Sequence, residues 1–181
     1  METFNGTDVR GCEYTMNVLA PYFNTNVEWY HTSTDYNLGE YCHYDMVWRM
    51  PEKRKRCAVE NKDRRWKWKD GVCHYSDPQY YDDYYTIMCN VDKIEKNLKL
   101  WETDNLVPLF TSDYTDGVFL LDLRRLPKDW KDRWVKSKKI SKTTLGGGEK
   151  KEQERVFIPK SFGWFYPADS TQPVQKPTYK E

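Results

Sequence analysis

Apolar positions along the chain fall into short, separated groups, and the longest regular series runs from Tyr81 to Trp101. Tyr81, Tyr84, Met88, Val91, Ile94, Leu98 and Trp101 recur at steps of three or four residues, the spacing of one helical face. Ser76-Asp77-Pro78 places a capping residue and a first-turn proline just ahead of them, so the pattern predicts a helix of about six turns. Upstream, Pro51 suits the first turn of a helix running toward Trp68, and Asp70-Gly71 reads as the turn or C-cap that ends it. Val118-Phe119-Leu120-Leu121 is the longest unbroken aliphatic and aromatic run, short enough to be a strand or a buried turn. Trp130 and Trp134, four apart after Pro127, predict a brief helix to about Lys139.

The two ends are less regular. Residues 1–40 read as an irregular extension with a short helix around Tyr14–Tyr22, closing near Pro21. From Ser141 onward, Gly146-Gly147-Gly148 breaks the chain and Pro159, Pro167, Pro173 and Pro177 forbid long regular elements. Phe157, Phe162, Trp164, Phe165 and Tyr166 make this stretch too aromatic for a solvated tail, so it reads as an extended strap over another protein surface. The expected organisation is an N-terminal extension over 1–40, a helical hairpin over 41–105, a mixed segment with a short helix over 106–140, and the strap over 141–181. No internal repeat is evident.

Composition adds a shortage of aliphatic surface. Of 181 residues, 38% are apolar and 16% aromatic, with a mean hydropathy of −0.96. Ordinary domains run at about 45–50% apolar with glycine included, so part of the aromatic surface is expected to be covered by neighbouring proteins. Net charge is +1, which removes the usual support for a dedicated nucleic-acid binder. Charge is nevertheless blocked. Arg49 to Lys69 carries ten bases against three acids, Gly71 to Gly117 three bases against nine acids, and Arg124 to Arg155 twelve bases against five acids. Mutual screening of these blocks is the expected arrangement, each surface pair contributing about 0–1 kcal/mol. No apolar run approaches the roughly 20 residues of a spanning helix. The segment from Met1 to Phe23 has no apolar core and two acids before its first arginine, so neither a secretory signal nor a transit peptide is expected there.

Five cysteines stand at 12, 42, 57, 73 and 89. On two antiparallel helices turning between Cys57 and Cys73, Cys57 would face Cys73 and Cys42 would face Cys89, closing two bridges, with Cys12 left over. Five unpaired thiols are the competing reading. A metal site built on Cys42-His43 and Cys73-His74 is the weakest, because zinc ligands usually pair at C-x2–4-C and H-x3–5-H spacing; no metal and no cofactor is expected.

Cys42, Cys57, Cys73 and Cys89, as two spaced pairs on a predicted helical hairpin, resemble the coiled-coil-helix-coiled-coil-helix proteins. The pairs here are wider, at CX14C and CX15C against the family's CX9C. The resemblance implies import into the mitochondrial intermembrane space, oxidation there, and a place among accessory subunits of respiratory complexes on the inner membrane.

Candidate chemistry is sparse. His31, His43 and His74 sit in no motif with a serine or aspartate partner. Asp82-Asp83 on a helix would point about 100° apart, and Gly146–Lys150 lacks the G-x4-G-K-[ST] phosphate-loop pattern. The basic-aromatic run Arg64-Arg65-Trp66-Lys67-Trp68-Lys69 could stack on bases or sit at an anionic lipid surface. The sequence therefore predicts a mainly α, disulfide-stapled hairpin with long irregular extensions, serving as a non-catalytic accessory subunit. Its expected contacts with other subunits are Trp66, Trp68, Tyr81, Tyr84, Trp101, Phe162, Trp164, Phe165 and Tyr166. An RNA-associated subunit of a ribonucleoprotein is the alternative.

Overall fold

A computed structural model describes residues 5–32, 44–69, 72–75, 86–142 and 150–179. It corrects the mainly α expectation: among the described residues strands dominate and no helical hairpin forms. Helix α1 (Asn5–Leu19) is followed by strands β1 (Glu28–His31), β2 (Met46–Met50), β3 (Lys55–Asp63), β4 (Trp66–Lys69), β5 (Val72–Tyr75) and β6 (Thr86–Asn90). Helix α2 (Val91–Asp104) then leads to β7 (Val107–Tyr114) and β8 (Gly117–Asp122). Helix α3 (Trp130–Trp134), β9 (Val135–Lys142), β10 (Lys150–Pro159) and β11 (Trp164–Pro167) complete the chain.

Six strands form the main sheet in the order β1-β2-β3-β7-β8-β11. Every neighbouring pair is antiparallel except β3 and β7, which run parallel from Cys57 beside Val107 to Asp63 beside Asp113. A second sheet has the order β6-β10-β9, and β4 with β5 makes a separate ribbon.

Two apolar cores follow from this layering. On one face, Cys12, Met16 and Leu19 of α1 pack on Trp48, Cys57, Val59, Val107, Leu109 and Val118. On the other, Val91 and Ile94 of α2 join Phe110, Phe119 and Leu121 with Ile87, Cys89, Val156 and Ile158 from the smaller sheet. β7 is buried at every position, as a central strand covered on both faces must be. Pro21 ends α1 in a short 3-10 turn, because its ring cannot continue the helical ladder. Asn105 closes α2 in the left-handed conformation, with its N–H bonded to the Leu100 carbonyl.

The long periodic series splits. Met88 and its neighbours Ile87 and Cys89 lie on β6, and only Val91 onward is helical; Tyr81 and Tyr84 lie outside the described residues. Val118–Leu121 is a strand, and the brief helix after Pro127 stops at Trp134. The expected bridges are also corrected. Cys57 and Cys89 are buried free thiols, because Cys57 belongs to the α1 core, beside the buried Cys12, and Cys89 to the α2 core. Cys42 lies outside the described residues, and Cys73 pairs with Trp68 across β4 and β5. Burial pushes the Cys57 thiol up to about 11 and the Cys89 thiol up to about 12. The C-terminal strap packs on the chain itself: β11 joins the main sheet, and Phe162 and Phe165 are buried in the chain's own core. Among the described residues, no helix is long and apolar enough to cross a membrane.

Candidate active site

β3 carries polar side chains where a central strand would ordinarily be apolar, and alternation sends them to opposite faces. Asn61 and Asp63 fall on the α1 face, Glu60 and Lys62 on the α2 face.

The α1 face holds an enclosed network. The Asn61 side-chain amide donates to Thr15 Oγ1 at 2.7 Å, Thr111 Oγ1 at 2.9 Å and Asp113 Oδ2 at 3.1 Å. The Thr15 hydroxyl donates to Asp113 Oδ1 at 2.7 Å. Arg65 grips Asp63 through Nε at 2.9 Å and Nη2 at 2.8 Å, and its guanidinium lies 3.9 Å above the Tyr14 ring. Gly11 permits this approach, since a Cβ there would sit 3.0 Å from Asn61 Oδ1. Asp113 is fully buried, and burial pushes its carboxyl up to about 7 against the pull of the Thr15 and Asn61 hydrogen bonds. With its groups paired and water excluded, this network fastens α1 to the sheet.

The polar cluster on the α2 face differs because its lysines keep contact with solvent. Glu60 is 1% exposed, whereas the Lys62 side chain keeps 36% and Lys93, in the first turn of α2, keeps 19%. Lys62 Nζ lies 2.6 Å from Glu60 Oε1, and Lys93 Nζ lies 3.2 Å from Glu60 Oε2. Asp45, just ahead of β2, is fixed beside them: its N–H donates to the Val59 carbonyl at 2.9 Å, and its Oδ2 accepts the Asn61 N–H at 2.7 Å. Burial, then repulsion from Glu60, pushes Asp45 up to about 7, while Lys62, the Asn61 N–H and Lys93 pull it down. Burial disfavours the charge on Lys62, but attraction to Glu60 and Asp45 outweighs it and raises the ammonium above its ordinary range. The cluster sits where β3 turns from an antiparallel neighbour, β2, to a parallel one, β7.

Glu60 on β3 and Asp45 just ahead of β2 offer two carboxylates as a candidate oxygen donor set. Among the described residues no third His, Cys, Asp or Glu joins them. This suits a hard cation of the Mg²⁺ type, which binds through one or two carboxylates and completes its shell with water and substrate phosphate. It does not suit a closed zinc site, which needs four protein ligands.

Sequence reasoning missed all four residues, counting Glu60, Lys62 and Lys93 only as charges within blocks. A signal was present: Glu60-Asn61-Lys62 directly follows Cys57-Ala58-Val59, and residues two apart share a face once the segment is a strand. The residues expected to meet partners lie elsewhere. Trp101 is 37% exposed on α2 beneath the Arg124 guanidinium, and Trp164 lies beneath that of Arg125. Phe162 packs between Trp134 and Tyr179, and Tyr166 meets Tyr22 edge to face. Trp66 and Trp68 belong to β4, paired with Tyr75 and Cys73.

No protein-family model and no curated protein matches the chain. Among solved structures it is similar to Hjc, a Holliday junction resolvase from Archaeoglobus fulgidus. Identity is 8% and the TM-score is 0.41, over 82% of this chain and 84% of that one. Loss of the hairpin and of both bridges removes the grounds for a non-catalytic respiratory subunit, for the mitochondrial setting drawn from it, and for protein subunits as the main partners. At this distance the likeness assigns no role to any residue.

Proposed function

We propose that the protein is a cation-dependent hydrolase of phosphodiester bonds in nucleic acid, acting at the Asp45–Glu60–Lys62 cluster. The carrying observation is the placement of two carboxylates, Glu60 on β3 and Asp45 just ahead of β2, with the partly exposed Lys62 ammonium 2.6 Å from Glu60. Asp45 and Glu60 would hold a divalent cation, which, when bound, polarises a phosphoryl oxygen and favours a hydroxide nucleophile. Lys62 supplies a fixed positive charge beside the place where negative charge grows on the phosphorus-bound oxygens, and such pre-placed charges lower the barrier. The Asn61 N–H holds Asp45 Oδ2 at 2.7 Å, which fixes that carboxylate beside the residue that follows Glu60. Arg64 and Arg155 extend the basic surroundings: Arg64 donates to the Met88 carbonyl at 2.9 Å, and Arg155 lies 3.6 Å from the Met88 sulfur. A polyanionic substrate fits these neighbours, and the resolvase is one protein that acts on such a substrate.

The test is cleavage of duplex, single-stranded and four-way-junction DNA in Mg²⁺ or Mn²⁺, with EDTA as control. Cation-dependent cleavage that Glu60→Gln and Lys62→Met both abolish, with unchanged circular dichroism, is the expected result. No cleavage of any of these, or cleavage that survives both substitutions, overturns the reading.

A further inference from the structure

Glu60 has an ammonium on each carboxylate oxygen: Lys62 on Oε1 and Lys93 on Oε2. With Asp45, the cleft contains two acids and two bases and is close to self-neutral when both acids are ionised. Lys93 is also set against its own helix, since the first turn of a helix favours negative charge and disfavours a cation. Its place is explained by Glu60 across the cleft, not by helix stability. Resting on the function proposed above, we propose that Lys93 is a positioning residue that latches Glu60 in the empty cleft, and that a divalent cation must displace this ammonium to bind.

The displaced Lys93, together with Lys62, then faces the open side of the cleft, where an incoming phosphate is the natural counter-ion. Cation loading and nucleic-acid binding would therefore strengthen one another, each by the same factor, as linkage requires. Lys62 holds the other carboxylate oxygen, and the two nearby arginines are engaged elsewhere: Arg64 with the Met88 carbonyl and Arg65 with Asp63 on the opposite face.

The experiment compares the full chain with Lys93→Met, Lys93→Arg and Glu60→Gln. Affinity for Mn²⁺ alone is read by calorimetry, and affinity for a short duplex DNA by fluorescence anisotropy in EDTA and in Ca²⁺. Removing the latch is expected to tighten Mn²⁺ binding about tenfold in Lys93→Met, with Lys93→Arg close to the unaltered protein and Glu60→Gln weakened. Ca²⁺ is expected to raise DNA affinity in the unaltered protein and to raise it less in Lys93→Met. Mn²⁺ affinity that is unchanged or weaker in Lys93→Met, with Glu60→Gln still weakened, overturns the latch and leaves the proposed function standing. No Mn²⁺ binding by any of the four proteins overturns both. A merely structural role for Lys93 would weaken binding or leave it alone, and would not tighten it.

Discussion

Asp113 lets the balance between burial and charge be tested directly. It is fully buried between Thr15 of α1 and Asn61 of β3, with its carboxyl pushed up to about 7. An aspartate in an unfolded chain titrates near 3.9. Between these two values the folded protein binds the extra proton, so this group's contribution to stability is greatest near pH 4 and falls as pH rises toward 7. Above 7 both states are ionised and the contribution levels off. A gap of about three pH units at 1.36 kcal/mol each sets a ceiling of about 4 kcal/mol. Asp113→Asn removes the titration while keeping an oxygen to accept from Thr15. Its remaining cost is one imperfect contact with Asn61, about 1 kcal/mol and independent of pH. Urea unfolding of both proteins from pH 4.5 to 8, followed by far-ultraviolet circular dichroism, isolates the group, because all other titrations cancel in the difference. The variant is expected to be less stable than the parent near pH 4.5 and to gain on it steadily up to pH 7. A stability difference that stays constant over that range would show that Asp113 is ionised in the folded protein and refute the reasoning.

Loss of Glu60 or Lys62 function is expected to be large: Glu60→Gln or Lys62→Met should lower the cleavage rate by about 10²–10³, the usual effect of removing one charge-stabilising group, in a single-turnover assay. Gly117→Ala should cost about 1–3 kcal/mol, since its Cβ would lie 2.3 Å from the Tyr166 carbonyl oxygen and 2.7 Å from Phe165 Cζ; a thermal melt within error of the parent would contradict that contact. Cys12, Cys57 and Cys89 should resist a thiol reagent in the folded state and react fully in denaturant without reductant, as peptide mass spectrometry would show. A bridge at Cys57 or Cys89 would contradict the two-core arrangement.

Local signals in the chain were sound where one element decides its own form. Pro21 stops α1, the Val118–Leu121 run is a strand, and the later half of the Tyr81–Trp101 series, from Val91, is a helix. Met88, counted in the same series, misled because Ile87 and Cys89 alternate into a core while Met88 turns away, and a short strand can mimic a piece of helical stripe. Regular cysteine spacing misled for a related reason. Equal intervals imply pairing only if the chain between them is helical, and β3 and β6 place Cys57 and Cys89 in separate cores.

The sequence by itself determined where elements could not continue, which aromatic positions needed cover, and how charge was distributed in blocks. Only the tertiary structure decided that the aromatic cover comes from the chain's own sheet, and that four residues counted as scattered charges share one cleft. Asp45 and Glu60 are far apart along the chain yet adjacent across β2 and β3, and Lys93 reaches Glu60 only after α2 returns over the strand. Strand pairing is set by contacts distant in sequence, and a one-residue change of register would send Glu60 to the opposite face of the sheet.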